Sequence, residues 1–296
     1  MPSTREIRRR IRSVKNTAQI TRTMQMVASS KMRRAQERVE QSRPYAEQMR
    51  ALVSRLANIS GEDLGGEVAL LKQRPVRNIG YVLITPDRGL CGPLPSNINR
   101  KAATSALEAQ TRYAEQGQRP GVDYVVVGRK GRDFVLRNQL HMMAEFTNYG
   151  DRPGLLDASA IAQVATDAFL KGEVDVVYLV YARFVNTVTQ QPTVAQLLPV
   201  QPPAQQEGER KTLEYIYEPD AATIFEALLP RYVDMQVYQS LLEALASQYS
   251  AQMVAMKNAT DNANELVQDL TLTYNKARQA SITTQILEVV AGAEAL

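Results

Sequence analysis

From Ile7 the apolar positions recur at intervals of four and three: Ile7, Ile11, Val14, Ala18, Ala28, Met32, Ala35, Val39, Ala46, Met49, Val53 and Leu56. Only Thr21, Gln25 and Ser42 interrupt the series. This spacing keeps one stripe on one helix face through about seven heptads. Ser3 and Thr4, with Glu6 just after, supply N-terminal cap signals. Pro44 is expected to bend the helix and not to end it, because the series resumes in register at Ala46. Gly61, Gly65 and Gly66 then mark its end. At 1.5 Å per residue, a helix over 4–59 would run roughly 80 Å.

The last third repeats the pattern. From Leu228 the series passes through Tyr232, Met235, Leu242, Ala246, Tyr249, Met253, Met256, Ala263, Val267, Leu270, Tyr274 and Ala277, with Gln239, Thr260, Ser281 and Thr284 as its polar members. No glycine falls within 220–291, so this helix would reach roughly 100 Å. Neither helix shows a broad second apolar face, and neither can bury a stripe alone. The expected solution is an antiparallel coiled coil of the first and last parts of the chain. Its many Ala, Ser, Thr and Met residues bury little area, which favours a surrounding partner.

Between the two helical segments the period changes. Asn78–Thr85, Val122–Gly128 and Val174–Arg183 read as buried strands. Helical stretches are expected over Ser96–Gln116, Lys130–Asn138 and Asp157–Leu170, the last opened by an Asp cap. Strands alternating with helices imply a mainly parallel, Rossmann-like α/β sheet with right-handed crossovers. Thr187–Thr193 and Lys211–Tyr217 are candidate further strands on the sheet edge, and Gln201–Arg210 reads as a polar loop. The organisation is thus a helix over 1–60, an α/β domain over 77–217 and a second helix over 218–296.

Composition narrows the function classes. The 296 residues are 44% hydrophobic and 22% charged, enough for a real core. One cysteine (Cys91) and one histidine (His141) leave no disulfide framework within the chain and no multi-histidine metal site. No apolar run approaches the roughly 18 residues that span a bilayer, so no direct transmembrane segment is expected. The net charge of +4 hides an asymmetry: twelve Lys or Arg stand against three Glu between Met1 and Arg43. Such a helix suits nucleic acid, anionic lipid or an acidic protein surface. Against nucleic acid, its first aromatic residue is Tyr45, so no stacking platform is interleaved.

Asp87-Arg88-Gly89-Leu90-Cys91-Gly92 follows the first strand, where open α/β sheets often bind ligands. It is neither of the glycine-rich phosphate motifs, and Gly128-Arg129-Lys130-Gly131 is too short for a phosphate loop. The reading of this turn is structural, with glycines at positive φ. An enzyme taking a phosphorylated ligand at Asp87 stands as the alternative.

Three motifs, in order, resemble the gamma subunits of F-type ATP synthases. The first is Ile7-Arg8-Arg9-Arg10-Ile11-Arg12-Ser13-Val14-Lys15-Asn16-Thr17, continuing from Ile20 to Lys31; the second is the Asp87–Gly92 turn; the third is Tyr274–Thr283 with Glu288, Gly292, Ala293 and Ala295. The resemblance covers the whole chain. The family usually carries an acidic residue where this chain has Gln285, and usually continues Gly-Leu-Asn where Pro93-Leu94-Pro95 stands.

The resemblance implies a non-catalytic rotor shaft inside a ring of three alpha and three beta subunits (3:3:1 with this chain), and no cofactor or metal. The α/β domain would be a foot meeting epsilon and the membrane c-ring, with Tyr217 and Glu218 near that contact. Lys31, Arg33 and Arg34 would face acidic loops of beta. Met24, Arg278, Gln279 and Thr283 would lie near loops that grip the shaft, and Gln285 and Leu287 towards an apolar sleeve at its tip. Asp87, Arg88, Gly89 and Gly92 would form the turn of the foot. The expected location is the cytoplasmic side of a bacterial cell membrane, as a peripheral protein.

Overall fold

The computed structural model describes residues 3–59, 69–114, 120–201 and 221–294. Its elements, in order, are α1 (Thr4–Ile59), β1 (Asn78–Ile84), α2 (Leu94–Ala114), β2 (Gly121–Val127), α3 (Arg129–Arg137), β3 (His141–Phe146), α4 (Leu155–Lys171), β4 (Val176–Phe184), β5 (Gln190–Leu198) and α5 (Ala221–Glu294). The chain forms two compact units, one of Met1–Ser29 with Gln252–Leu296 and one of Ser30–Ala251. The division runs through the long helices. Gly61, Gly65, Gly66, the Lys211–Tyr217 segment and most of the polar loop lie outside the described residues.

In the smaller unit the ends of α1 and α5 pair antiparallel. The Thr21 and Thr260 hydroxyls meet at 2.7 Å, both buried, and Arg8 sits 5.4 Å over the Tyr274 ring. The first turn of α1 is capped as its sequence suggested, with the Glu6 N–H donating to Ser3 Oγ at 3.3 Å. The helix also runs unbroken past Pro44, which lies on its exposed side.

The larger unit is built on a five-stranded sheet ordered β3-β2-β1-β4-β5. The first four strands in that order are parallel, and β5 returns antiparallel to β4. β1 is buried on both faces. Ile79, Tyr81 and Leu83 face α2, while Val82 and Ile84 face α4 and the long helices. Register places Tyr81 opposite both Tyr124 and Tyr178, and the three rings stack at 5.7 and 5.6 Å. Burial pushes the Tyr81 and Tyr124 hydroxyls up to about 12.

β3 falls in no element expected from sequence, because His141-Met142-Met143-Ala144-Glu145-Phe146 lacks β-branched residues and the strand pairs on one side only. In addition, three local expectations are corrected. The edge strand begins at Gln190 and not at Thr187, because Asn186 Oδ1 accepts the N–H groups of Val188 and Thr189 and so makes 186–189 a turn. Asp157 is not the cap itself but sits three residues inside, its carboxylate accepting the N–H of Gly154 at 2.7 Å.

The third concerns α5, which does have a second buried face. Phe225, Leu229, Val233, Val237 and Leu241 join the sheet core. Buried Ser247 donates to the Ala182 carbonyl at 2.9 Å, and Ser250 donates to that of Thr187 at 2.5 Å. The heptad series concealed this face because serines carry part of it, and buried hydroxyls with carbonyl partners cost little.

Candidate partner interface

The Asp87 turn is a knot of hydrogen bonds. Asp87 Oδ1 accepts the N–H of Arg129 at 3.0 Å, and Oδ2 accepts that of Asn148 at 2.9 Å. Pro86 accepts the N–H of Lys130 through its carbonyl, and Thr85 Oγ1 accepts that of Gly131 at 2.7 Å. The first three donors of α3 are therefore used within the chain. A phosphate arriving at that helix N-terminus would find them taken. The strand-to-helix corner demands glycine at Gly128, with φ of 91° and a would-be Cβ 2.0 Å from the Thr85 carbonyl oxygen.

Within Asp87–Gly92 the positive φ angles belong to Gly92 (59°) and, unexpectedly, to Leu90 (66°), and not to Gly89. Leu90 is 60% exposed, while Cys91 is buried, where desolvation pushes its thiol up. Arg88 is exposed at the mouth of a cavity of about 360 Å³ whose walls include Ile84, Val127, Tyr149, Leu241 and Tyr249. Among the described residues, no group of three His, Cys, Asp or Glu side chains is placed to hold a metal.

The basic patch divides into different surroundings. Lys31 is half-buried, with its ammonium 2.6 Å from Asp151 Oδ2 and 5.5 Å over the Tyr249 ring. Tyr249 donates its hydroxyl to the other Asp151 oxygen, and Arg38 donates to the Asp151 carbonyl at 3.2 Å. Hydrogen bonds from Lys31 and Tyr249 hold the Asp151 carboxyl below the usual carboxylate range. Arg33 and Arg34 are exposed; among the described residues the hydrogen bond of Arg34 goes to the Ser30 carbonyl of its own helix, at 3.4 Å.

In the smaller unit Met24 is half-buried, and Arg278, Gln279, Thr283, Gln285 and Leu287 are exposed. The contacts Arg8–Tyr274 and Thr21–Thr260 set a register in which α1 starts opposite about Arg278. Beyond that point α5 meets no other element among the described residues. Ile282, Ile286, Leu287, Val289 and Val290 are accordingly 47–72% exposed. The same register leaves Met24 about twenty residues, roughly 30 Å, from the level of Arg278, so these residues do not form one cluster. Tyr217 and Glu218 lie outside the described residues.

The family model described as ATP synthase matches residues 3–296. Over 298 residues the chain is 52% identical to an ATP synthase gamma chain of Dehalococcoides mccartyi, covering all of both chains. The chain belongs to the ATP synthase gamma family. An ATP synthase gamma chain of Chloroflexus aurantiacus is 46% identical, with all of this chain and 99% of that one covered.

Solved structures agree on the fold. A chain from the central stalk and c-ring structure of the Tetrahymena thermophila mitochondrial ATP synthase aligns with a TM-score of 0.55 at 26% identity. The alignment covers 81% of this chain and 99% of that one. One from the Euglena gracilis enzyme, in a structure of its OSCP, F1 and c-ring parts, reaches 0.67 at 20% identity over 99% and 94%. These two chains therefore share the fold of this one. No described helix is long and apolar enough to cross a membrane.

Proposed function

We propose that this chain is the central rotor shaft of an F-type ATP synthase, turning inside a ring of three alpha and three beta subunits and itself catalysing nothing. Family membership across the whole length carries this reading. The apolar end of α5, exposed among the described residues, supports it, since those five side chains suit a surrounding sleeve. The α/β domain is the foot, in contact with epsilon and the c-ring, and Tyr217 and Glu218 belong to that contact. The chain is peripheral, on the cytoplasmic side of a bacterial membrane.

A shaft drives catalysis elsewhere only if its contacts differ in free energy between conformations of the ring. Exposed Arg33 and Arg34 suit such a contact, because Coulomb attraction to acidic loops acts without a fixed register as the shaft turns. Lys31, already paired with Asp151, serves inside the chain. Met24 contributes an apolar contact at one level of the shaft, and Arg278, Gln279, Thr283, Gln285 and Leu287 contribute theirs at another. The turn of Asp87, Arg88, Gly89 and Gly92 holds the foot together.

The test has two parts. The purified chain alone is expected to hydrolyse no ATP, and sustained turnover by it would contradict the reading. In an assembled complex, Arg33→Glu with Arg34→Glu is expected to impair coupled synthesis while the chain still folds. Unchanged synthesis and hydrolysis would remove these two residues from the mechanism.

A further inference from the structure

Asp151 stands at the tip of the 147–154 loop between β3 and α4, and that loop is held at both ends. Asp87 accepts the N–H of Asn148, and Asp157 accepts that of Gly154. Tyr149 packs its ring against Phe146, 6.4 Å between centroids. Asn148 and Gly150 both take left-handed φ, 67° and 66°. A Cβ at Gly150 would touch nothing, so glycine there serves the backbone turn alone. The loop is thus an arm of the sheet, anchored at both ends, that presents one carboxylate.

What meets that carboxylate comes from both long helices. Lys31 of α1 and Tyr249 of α5 take one oxygen each, and Arg38 of α1 takes the carbonyl. Among the described residues, every hydrogen bond or ion pair from 30–43 of α1 to the strands and loops of the sheet ends on Asp151. The cleft around it holds Lys31, Arg34, Arg38 and Arg152 against this single acid. The Asp151 side chain is 53% exposed. A pair that open adds little to stability. The two directional contacts from Lys31 and Arg38 do, however, tie the cation-bearing turns of α1 to this arm of the sheet.

We propose that Asp151 is a positioning residue: it ties the sheet's 147–154 loop to both long helices, and through it movement of the sheet is passed to the part of α1 that carries Arg33 and Arg34. This rests on the rotor reading above. It predicts that breaking the tie loosens transmission more than it harms folding or assembly.

The experiment uses the complete complex in sealed vesicles and reads ions moved per ATP hydrolysed, so a change in hydrolysis rate alone does not register. Asp151→Asn, Lys31→Met and the double variant are compared with the parent, alongside particle yield and the unfolding midpoint. Each single variant is expected to lose transport per ATP several-fold at near-normal particle yield. The double variant should be no worse than either single, because both changes break the same tie. Asp151→Glu, which keeps the charge and acceptors, should recover part of the loss.

The proposal is overturned if Asp151→Asn transports like the parent, if Lys31→Met alone is silent, or if transport falls only in proportion to lost particles. A parent complex in which this chain changes neither turnover nor transport would instead sink the rotor reading itself.

Discussion

Gly128 and Glu243 show how single positions constrain this chain. Gly128→Ala would place a methyl group against the Thr85 carbonyl at a φ that L-residues avoid. A loss of about 3 kcal/mol or more is expected in chemical denaturation, and a loss below about 1 kcal/mol would mean the corner relaxes. Glu243 is half-buried with Oε2 unpartnered, and desolvation raises its carboxyl despite Arg183, Arg43 and Arg50 nearby. The folded state therefore holds that proton more tightly than the unfolded chain, and its contribution is lost as pH rises through the raised value. Glu243→Gln should raise the unfolding midpoint at neutral pH, by about 1 kcal/mol of stability, and bring no gain in acid. Asp151 has the opposite sign. Its lowered carboxyl adds stability above the ordinary carboxylate range and loses it as pH falls, so the cost of Asp151→Asn should vanish in acid. Little of this residue detail was legible in sequence: the Asp87 turn stood out, but that Leu90 and not Gly89 takes positive φ follows only from the folded corner.

At the scale of elements, spacing revealed most, because burial on one face writes a period into the chain. Every seam residue of α1 from Ile7 to Leu56 is buried or half-buried, and three buried strands lie within two residues of their expected bounds. What sequence concealed was structure with weak apolar contrast. β3 pairs on one edge, and the second face of α5 rests partly on Ser247 and Ser250. In sequence Thr21 and Thr260 stand only as breaks in their stripes, yet their hydroxyls meet in the fold. Each hydroxyl also reaches a carbonyl of its own helix, Ala18 for Thr21 and Met256 for Thr260, so changing either one alone to Val should cost less than about 1 kcal/mol, and the double change should be nearly neutral. Thermal unfolding of the three variants checks this. Additive losses would mean that the two hydroxyls act independently.

For the whole molecule, function was legible through resemblance and not through chemistry. No cluster of catalytic side chains announced itself, and charge on a helix face has many uses. The structure refines the resemblance by separating Lys31, which is engaged within the chain, from Arg33 and Arg34, which are exposed. It also relates the exposed tip of α5 to the register of the helices, since α1 begins opposite about Arg278. The most direct measurement is particle size and ATPase turnover of matched alpha and beta subunits with and without this chain. The rotor account predicts a 3:3:1 particle whose turnover differs from that of alpha and beta alone. A chain that never enters the particle, or enters it and leaves turnover unchanged, would contradict the account.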